Sequence, residues 1–330
     1  MQSNLIRGNA LRRTAGSGIV ALAAALIVVV AAGAQTFPNK PVRIVTPGTG
    51  GGADVAARLI APELSRNLGQ QVVVDNRASG VIPGDIVSKA QPDGYTLLLT
   101  SSSHWLAQFM QDKVPYDAVK DFAPVTILVS APNILVVQPS IAANSVADLI
   151  ALAKAKPGEL NYASIASGSP PHLAAELFKS MAGVNIVRVP YKASGGALSD
   201  VIAGQVQLMF PILSAGMPHV RSGRLRALAI TTAQPSALAP GLPTVAAAGL
   251  PGYVSVAMFG IFAPAATPAP VIGRLNRDLV AAVRKDEIRE KFFNAGVESV
   301  GSSPAELAAA MKTELTTLGQ LIRRVGIRAD

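Results

Sequence analysis

From Gln35 onward, short apolar runs alternate with amphipathic, alanine-rich segments, and several of the joints between them carry glycine or serine. That alternation restricts the chain to an α/β fold with largely parallel strands, because parallel neighbours need a helical crossover between them. The runs at 42–46, 71–75, 95–100, 160–164, 184–190, 205–210 and 225–231 read as strands. Two longer apolar stretches stand out, 125–137, broken by Pro132, and 253–263. They read as crossings between two lobes: the chain leaves the first lobe, builds a second and returns. The expected division is lobe 1 at 35–132 and 260–330, with lobe 2 inserted at 133–259. A chain of 330 residues is also longer than one core usually serves.

Local signals mark the helices. Asp54 is the expected N-cap of a helix over 55–68, which Pro62 should bend or split. A short helix is expected over 84–90. Ser145 with Asp148, and Ser303 with Glu306, have capping-box spacing, and Ser169 before Pro170 and Pro171 should cap a third helix.

Residues 1–34 have the form of an export signal. Arg7, Arg12 and Arg13 precede an apolar segment at 19–32, and Ala32-Gly33-Ala34 reads as a cleavage site. Its removal would take the formal charge from +9 to 9 − 3 = +6. The absence of cysteine excludes disulfides and thiolate metal sites, and suits a periplasmic protein of this size. Aromatic residues make up 5% of the chain and the basic residues are scattered, which argues against a nucleic-acid surface.

Pro47-Gly48-Thr49-Gly50-Gly51-Gly52-Ala53-Asp54 joins a strand to a helix. Glycines there let backbone approach a ligand, and the first N–H groups of the helix favour an anion. Gly48-x-Gly50-x-x-Ala53, with Asp75 ending the next strand, also fits a dinucleotide fingerprint, so an NAD-dependent oxidoreductase is the rival reading. The rest of the chain does not support catalysis. His104, His172 and His219 lie far apart, and no hydrolase, zinc-protease or nucleotide-triphosphatase motif occurs. No metal, cofactor or catalytic residue is expected.

Two more strand-to-helix joints, 164–170 and 192–196, are rich in glycine and serine, and Ser101, Ser102 and Ser103 follow another strand. Ligands of open α/β sheets collect at such carboxyl ends. No arginine lies within these loops, so backbone N–H groups, hydroxyls and ordered water should hold a small carboxylated anion.

Many blocks carry a family resemblance. Among them are Gly51-Gly52-x-Asp54, Asp75-Asn76-Arg77, Gln91-Pro92-Asp93-Gly94-Tyr95, Lys120-Asp121-Phe122, Val189-Pro190-Tyr191-Lys192 and Leu208-Met209-Phe210. Together they resemble the solute receptors of tripartite tricarboxylate transporters, the Bug family of periplasmic binding proteins. The resemblance implies a two-lobed periplasmic-binding-protein fold (type II-like), with two open sheets flanked by helices and a hinge of two crossing segments. It implies a monomer that closes on a small, often carboxylated molecule, a dicarboxylate, tricarboxylate or aromatic acid, without transforming it. Delivery to membrane permease subunits follows, or a sensing role in some members.

The ligand-lining residues it implies are Pro47, Thr49, Gly50, Gly51, Gly52, Ser101, Ser102 and Ser103 on one side. On the other are Ala166, Ser167, Gly168, Ser169, His172, Tyr191, Ser194 and Pro211. Relatives often carry an acidic residue after the Met-Phe pair, and Pro211 in its place leans away from amino-acid ligands. Asp75 then belongs to a family block, which weakens the ribose-binding alternative.

Overall fold

The run Ile134-Leu135-Val136-Val137 is buried throughout, and successive side chains enter different cores. Leu135 and Val137 pack with Tyr162, Phe178, Phe210 and Tyr253, whereas Ile134 and Val136 pack with Ala163, Val201 and Met209. A strand sends alternate side chains to opposite faces, so an unbroken apolar run specifies a strand covered on both sides. Each of these side chains contributes roughly 1.5–3 kcal/mol by leaving water.

The computed structural model describes residues 37–49, 52–77, 80–165 and 167–329. The chain divides into units Met1–Asn39 and Lys40–Asp330, and the fold is that of the second. The expected signal segment at 1–34, and Gly50, Gly51 and Ala166 of the expected site, lie outside the described residues.

Strands and helices alternate as β1 (Val42–Pro47), α1 (Gly52–Leu68), β2 (Val72–Arg77), α2 (Ile82–Ser88), β3 (Thr96–Ser101), α3 (Ser103–Met110) and β4 (Phe122–Pro132). Next come β5 (Ile134–Val137), α4 (Val146–Ala155), β6 (Asn161–Ser164), α5 (Pro170–Ala182) and β7 (Val187–Pro190). These are followed by α6 (Ser194–Ile202), β8 (Leu208–Met209), α7 (Leu213–Arg221) and β9 (Arg226–Ile230). The chain returns through β10 (Val256–Pro264) to α8 (Ala269–Val283), α9 (Asp286–Asn294), β11 (Glu298–Ser299) and α10 (Pro304–Val325).

Two sheets result, ordered β11-β4-β10-β3-β1-β2 and β7-β6-β8-β5-β9. Both are mixed, which corrects the expectation of largely parallel strands. The triplets β2-β1-β3 and β7-β6-β8 are parallel, but β10, β11 and β5 run antiparallel to their neighbours. A chain that leaves one sheet and comes back must run opposite to its outgoing strand, and β10 pairs with β4 along its whole length. Strand β10 joins the first sheet from Val256, ahead of the expected boundary at 260.

One buried residue, Asn133, separates β4 from β5. Its N–H donates to Thr231 Oγ1 at 2.9 Å, its carbonyl accepts from the same hydroxyl at 2.8 Å, and its Nδ2 donates to the Phe210 carbonyl at 2.6 Å. The Ser255 N–H reaches the Thr231 carbonyl at 2.9 Å, just before β10. The outgoing and returning segments are thus stitched through one threonine.

Several local expectations change in context. Helix α1 runs unbroken through Pro62, whose ring lies on the exposed face, where water can take up the carbonyl left without a donor. Asp54 is not its N-cap, because the helix begins at Gly52. Its buried carboxylate instead accepts from Arg58 Nε and Asn76 Nδ2, both at 2.8 Å, and ties α1 to β2. The strand expected at 205–210 shortens to Leu208–Met209. Ser303 and Glu306 form the full reciprocal capping box of α10.

Candidate functional site

The carboxyl ends of β1 and β3 carry the first half of the candidate site. Thr46 is fully buried, and its Oγ1 has no partner. Pro47, Gly48 and the exposed Thr49 follow, and α1 opens at Gly52. A Cβ at Gly52 would stand 2.5 Å from Phe259 Cζ, so only glycine lets the helix start settle on this ring. Phe259 on β10 is paired with Ser101 on β3, which places the ring between the glycine loop and the serine run.

The three serines divide their roles. The hydroxyls of Ser101 and Ser103 lie 3.1 Å apart and both residues are half-buried. Ser102 is buried and bonds to the Glu314 carboxyl on α10, which also accepts from Trp105 Nε1 at 2.9 Å. Burial pushes the Glu314 carboxyl up, and these two hydrogen bonds draw it partly back. Ser102 therefore fastens α10 to the head of α3.

The second half of the site lies at the carboxyl ends of β6 and β7. Arg188, on β7 beside Tyr162, sends its guanidinium across the end of β6. Nε donates to Ser164 Oγ at 2.7 Å, Nη1 to Ser167 Oγ at 2.9 Å and Nη2 to the Ile165 carbonyl at 3.0 Å. No arginine lies within the loops, as expected, but one reaches this loop from the neighbouring strand. Gly168 takes φ 72°, and its N–H donates to His172 Nδ1 at 3.0 Å. Met110, from the last turn of α3, covers Gly168 so closely that a side chain there would collide with its sulfur.

Ser169 occupies the N-cap position of α5 but makes no side-chain cap bond, and its buried Oγ has no partner. Part of the reason is local. An N-cap hydroxyl accepts from the second or third helical N–H; Pro171 at the second position has none, which leaves His172 N–H as the one helical donor in reach, and the Ser169 hydroxyl does not take it. The same prolines leave α5 poor in backbone donors, so the expected anion-binding helix start is reduced here to the His172 N–H.

Around the third loop, Tyr191 donates its hydroxyl to Asp200 Oδ2 at 2.6 Å, and its N–H bonds the Ser164 carbonyl at 2.8 Å. Burial, and then the Asp200 carboxylate, push this phenol up to about 12. Ser194 begins α6 and is half-buried. Pro211 is buried, and its ring packs against Gly216 of α7.

Sequence reasoning missed four residues here: Arg188, Phe259, Met110 and Thr46. Arg188 and Phe259 sit on strands beside the loops they serve, and strand order would have been needed to find them.

Two hollows lie elsewhere. One of about 230 Å³ sits against His104, Gln108 and Tyr116, and one of about 570 Å³ against Arg289, Phe293 and Ser299. Neither is lined by the glycine and serine loops. The loops are favoured because they end parallel strands in both sheets and carry unpartnered buried hydroxyls. Among the described residues, no group of three or more histidine, aspartate or glutamate side chains could hold a metal ion. Asp75, the ribose-binding candidate of the rival reading, pairs with Arg43 at 3.3 Å and Arg77 at 2.9 Å.

Two mixed sheets flanked by helices, joined by a stitched double crossing, with donor-bearing strand ends in each, define a two-lobed solute-binding receptor. The sequence model of the Tripartite tricarboxylate transporter family receptor matches residues 56–327, and the chain belongs to this family. It is 38% identical to Protein BugT of Bordetella pertussis over 300 residues, 89% of this chain and 92% of that one. Among solved structures, R. palustris Rpa4515 with adipate is similar at 37% identity and TM-score 0.77, covering 89% of this chain and 99% of that one. MatC from Rhodopseudomonas palustris with bound malate is similar at 28% identity and TM-score 0.74, covering 87% and 100%. The family is one of solute receptors, which favours the receptor reading of the glycine loop over the dinucleotide one. Among the described residues, no helix is long and apolar enough to cross a membrane.

Proposed function

We propose that this chain is a periplasmic receptor that captures a small carboxylated organic anion between two lobes and passes it, chemically unchanged, to the permease subunits of a tripartite transporter. The observation that carries the reading is the pair of donor-bearing strand ends, one in each sheet, within a family of solute receptors. The adipate and malate found in its relatives support a carboxylate as the guest.

The lobes are the two sheets with their helices, and the stitched segments at Asn133 and Ser255 are the hinge. Thr49, Gly52, Ser101 and Ser103 meet the ligand from one side, together with Pro47, Gly50 and Gly51. Ser167, Gly168, Ser169, His172 and Ser194 meet it from the other, together with Ala166, Tyr191 and Pro211. Ser102 works behind the first group through Glu314. The receptor acts as a monomer, without metal or cofactor, after export by a cleaved signal at 1–34.

Calorimetric titration of the purified protein with adipate, malate, citrate and benzoate tests the reading. Binding of at least one acid, with no turnover of it, is the expected result. No heat and no thermal shift with any organic acid would overturn it.

A further inference from the structure

The described residues between β6 and α5, Ile165 and 167–169, belong to no strand or helix, yet they must present the same atoms to each ligand. Their shape comes from outside. Three donors of the Arg188 guanidinium take Ser164 Oγ, the Ile165 carbonyl and Ser167 Oγ, all within one turn of chain. Because the guanidinium is planar and rigid, those acceptors must lie close to its plane, which removes most of the turn's freedom. At the far end, His172 Nδ1 takes the Gly168 N–H, and Met110 closes over Gly168. The clamp is therefore two-sided, and its larger member is Arg188.

We infer that Arg188 is the positioning residue of the second half of the carboxylate site, acting through the 164–168 turn and through its charge. The inference rests on the carboxylate reading above. A guanidinium only donates, so Ser164 and Ser167 meet it with oxygen lone pairs, and Ser164 turns its own proton to the Ile165 carbonyl at 3.3 Å. The arrangement fixes both hydroxyl oxygens against a positive group, and that fixed positive charge suits a carboxylate nearby and disfavours an ammonium group. The charge is felt beneath the turn as well. The Tyr162 phenol is driven up by burial and by Glu176, and Arg188 acts against that shift. A positive centre held half-buried beside the turn favours an anion there without touching it. A lysine would keep the charge and lose the planar three-point hold.

The test compares wild type with Arg188→Gln, Arg188→Lys and the milder Ser167→Ala, which removes one of the three bonds. Two readouts are taken: amide hydrogen exchange of residues 164–169 without ligand, and calorimetric affinity for whichever of adipate, malate, citrate or benzoate binds wild type, at two salt concentrations. Arg188→Gln is expected to speed exchange in this segment at least tenfold, weaken binding at least tenfold and flatten the salt dependence. Arg188→Lys should keep the fast exchange but recover the salt dependence and part of the affinity, a split that a purely structural arginine would not produce. Ser167→Ala should fall between wild type and Arg188→Gln in exchange. Wild-type affinity and exchange in Arg188→Gln would overturn this inference alone. Failure of wild type to bind any of the acids would overturn the carboxylate reading and the inference with it.

Discussion

At the first-sheet end of the proposed cleft the start of α1 depends on a missing side chain. Gly52 rests on Phe259 because nothing stands between them. At the second-sheet end Gly168 also lacks room for a side chain under Met110, but the turn is held by side chains that are present, the Arg188 guanidinium and the His172 imidazole. A steric fit tolerates almost no added volume but needs no particular charge. A hydrogen-bonded clamp tolerates small volume changes and depends on donor geometry. The two ends should therefore fail in different ways when altered.

The largest effect is expected from Gly52→Leu. The new side chain has no room over Phe259, so ligand affinity should fall by more than about a hundredfold, the equivalent of about 2.7 kcal/mol. Adding Phe259→Ala to Gly52→Leu should restore part of the affinity; if the double variant binds no better than the single one, the steric account of this loop is wrong.

The first-sheet lobe should also be the acid-sensitive one. His104 is buried, stacked on Tyr116 at 4.5 Å and edge-on to Phe122 at 4.7 Å, and burial pushes its imidazole down to about 3 from 6.5. Below pH 6.5 the unfolded chain takes up a proton that the folded one refuses. Stability is then present above 6.5 and is lost as pH falls toward 3, by about 1.4 kcal/mol per pH unit for this one group. Urea unfolding across that range should show a shallower acid limb in His104→Phe than in wild type. Parallel limbs would remove His104 as a source of the acid sensitivity.

The smallest effect separates two serines that look alike as helix caps. Ser145 accepts from the Asp148 N–H at 3.1 Å, whereas Ser169 caps nothing. Ser145→Ala should cost about 1 kcal/mol of stability and leave ligand affinity unchanged. Ser169→Ala should leave stability within about 0.5 kcal/mol of wild type and weaken binding severalfold, since its hydroxyl has no protein partner to lose. Equal stability losses in the two variants would show that Ser169 serves the fold and not the ligand.

Much of the fold was legible without coordinates. The apolar stretch broken at Pro132 passes from one sheet to the other, β4 ending at Pro132 and β5 beginning at Ile134, and the serine and glutamate of the α10 capping box meet as their spacing requires. These features depend on neighbours within a few positions, which a one-dimensional pattern records. Pro62 does not split its helix, whose Gly52–Leu68 run continues past it with the ring on the exposed face. Ser169 was placed at the right helix start, but its hydroxyl makes no cap bond there.

What the sequence determined by itself is the alternation of strand and helix, the two crossings and the places where glycine- or serine-rich joints end strands. These follow from local periodicity and from the conformational range of single residues. Only the tertiary structure decided that Ser102 turns to Glu314, that Phe259 lies beneath Gly52, and that an arginine from β7 grips the turn after β6. Each of those contacts joins residues whose neighbourhood is set by strand order in a sheet, and strand order is fixed by the packing of the whole core.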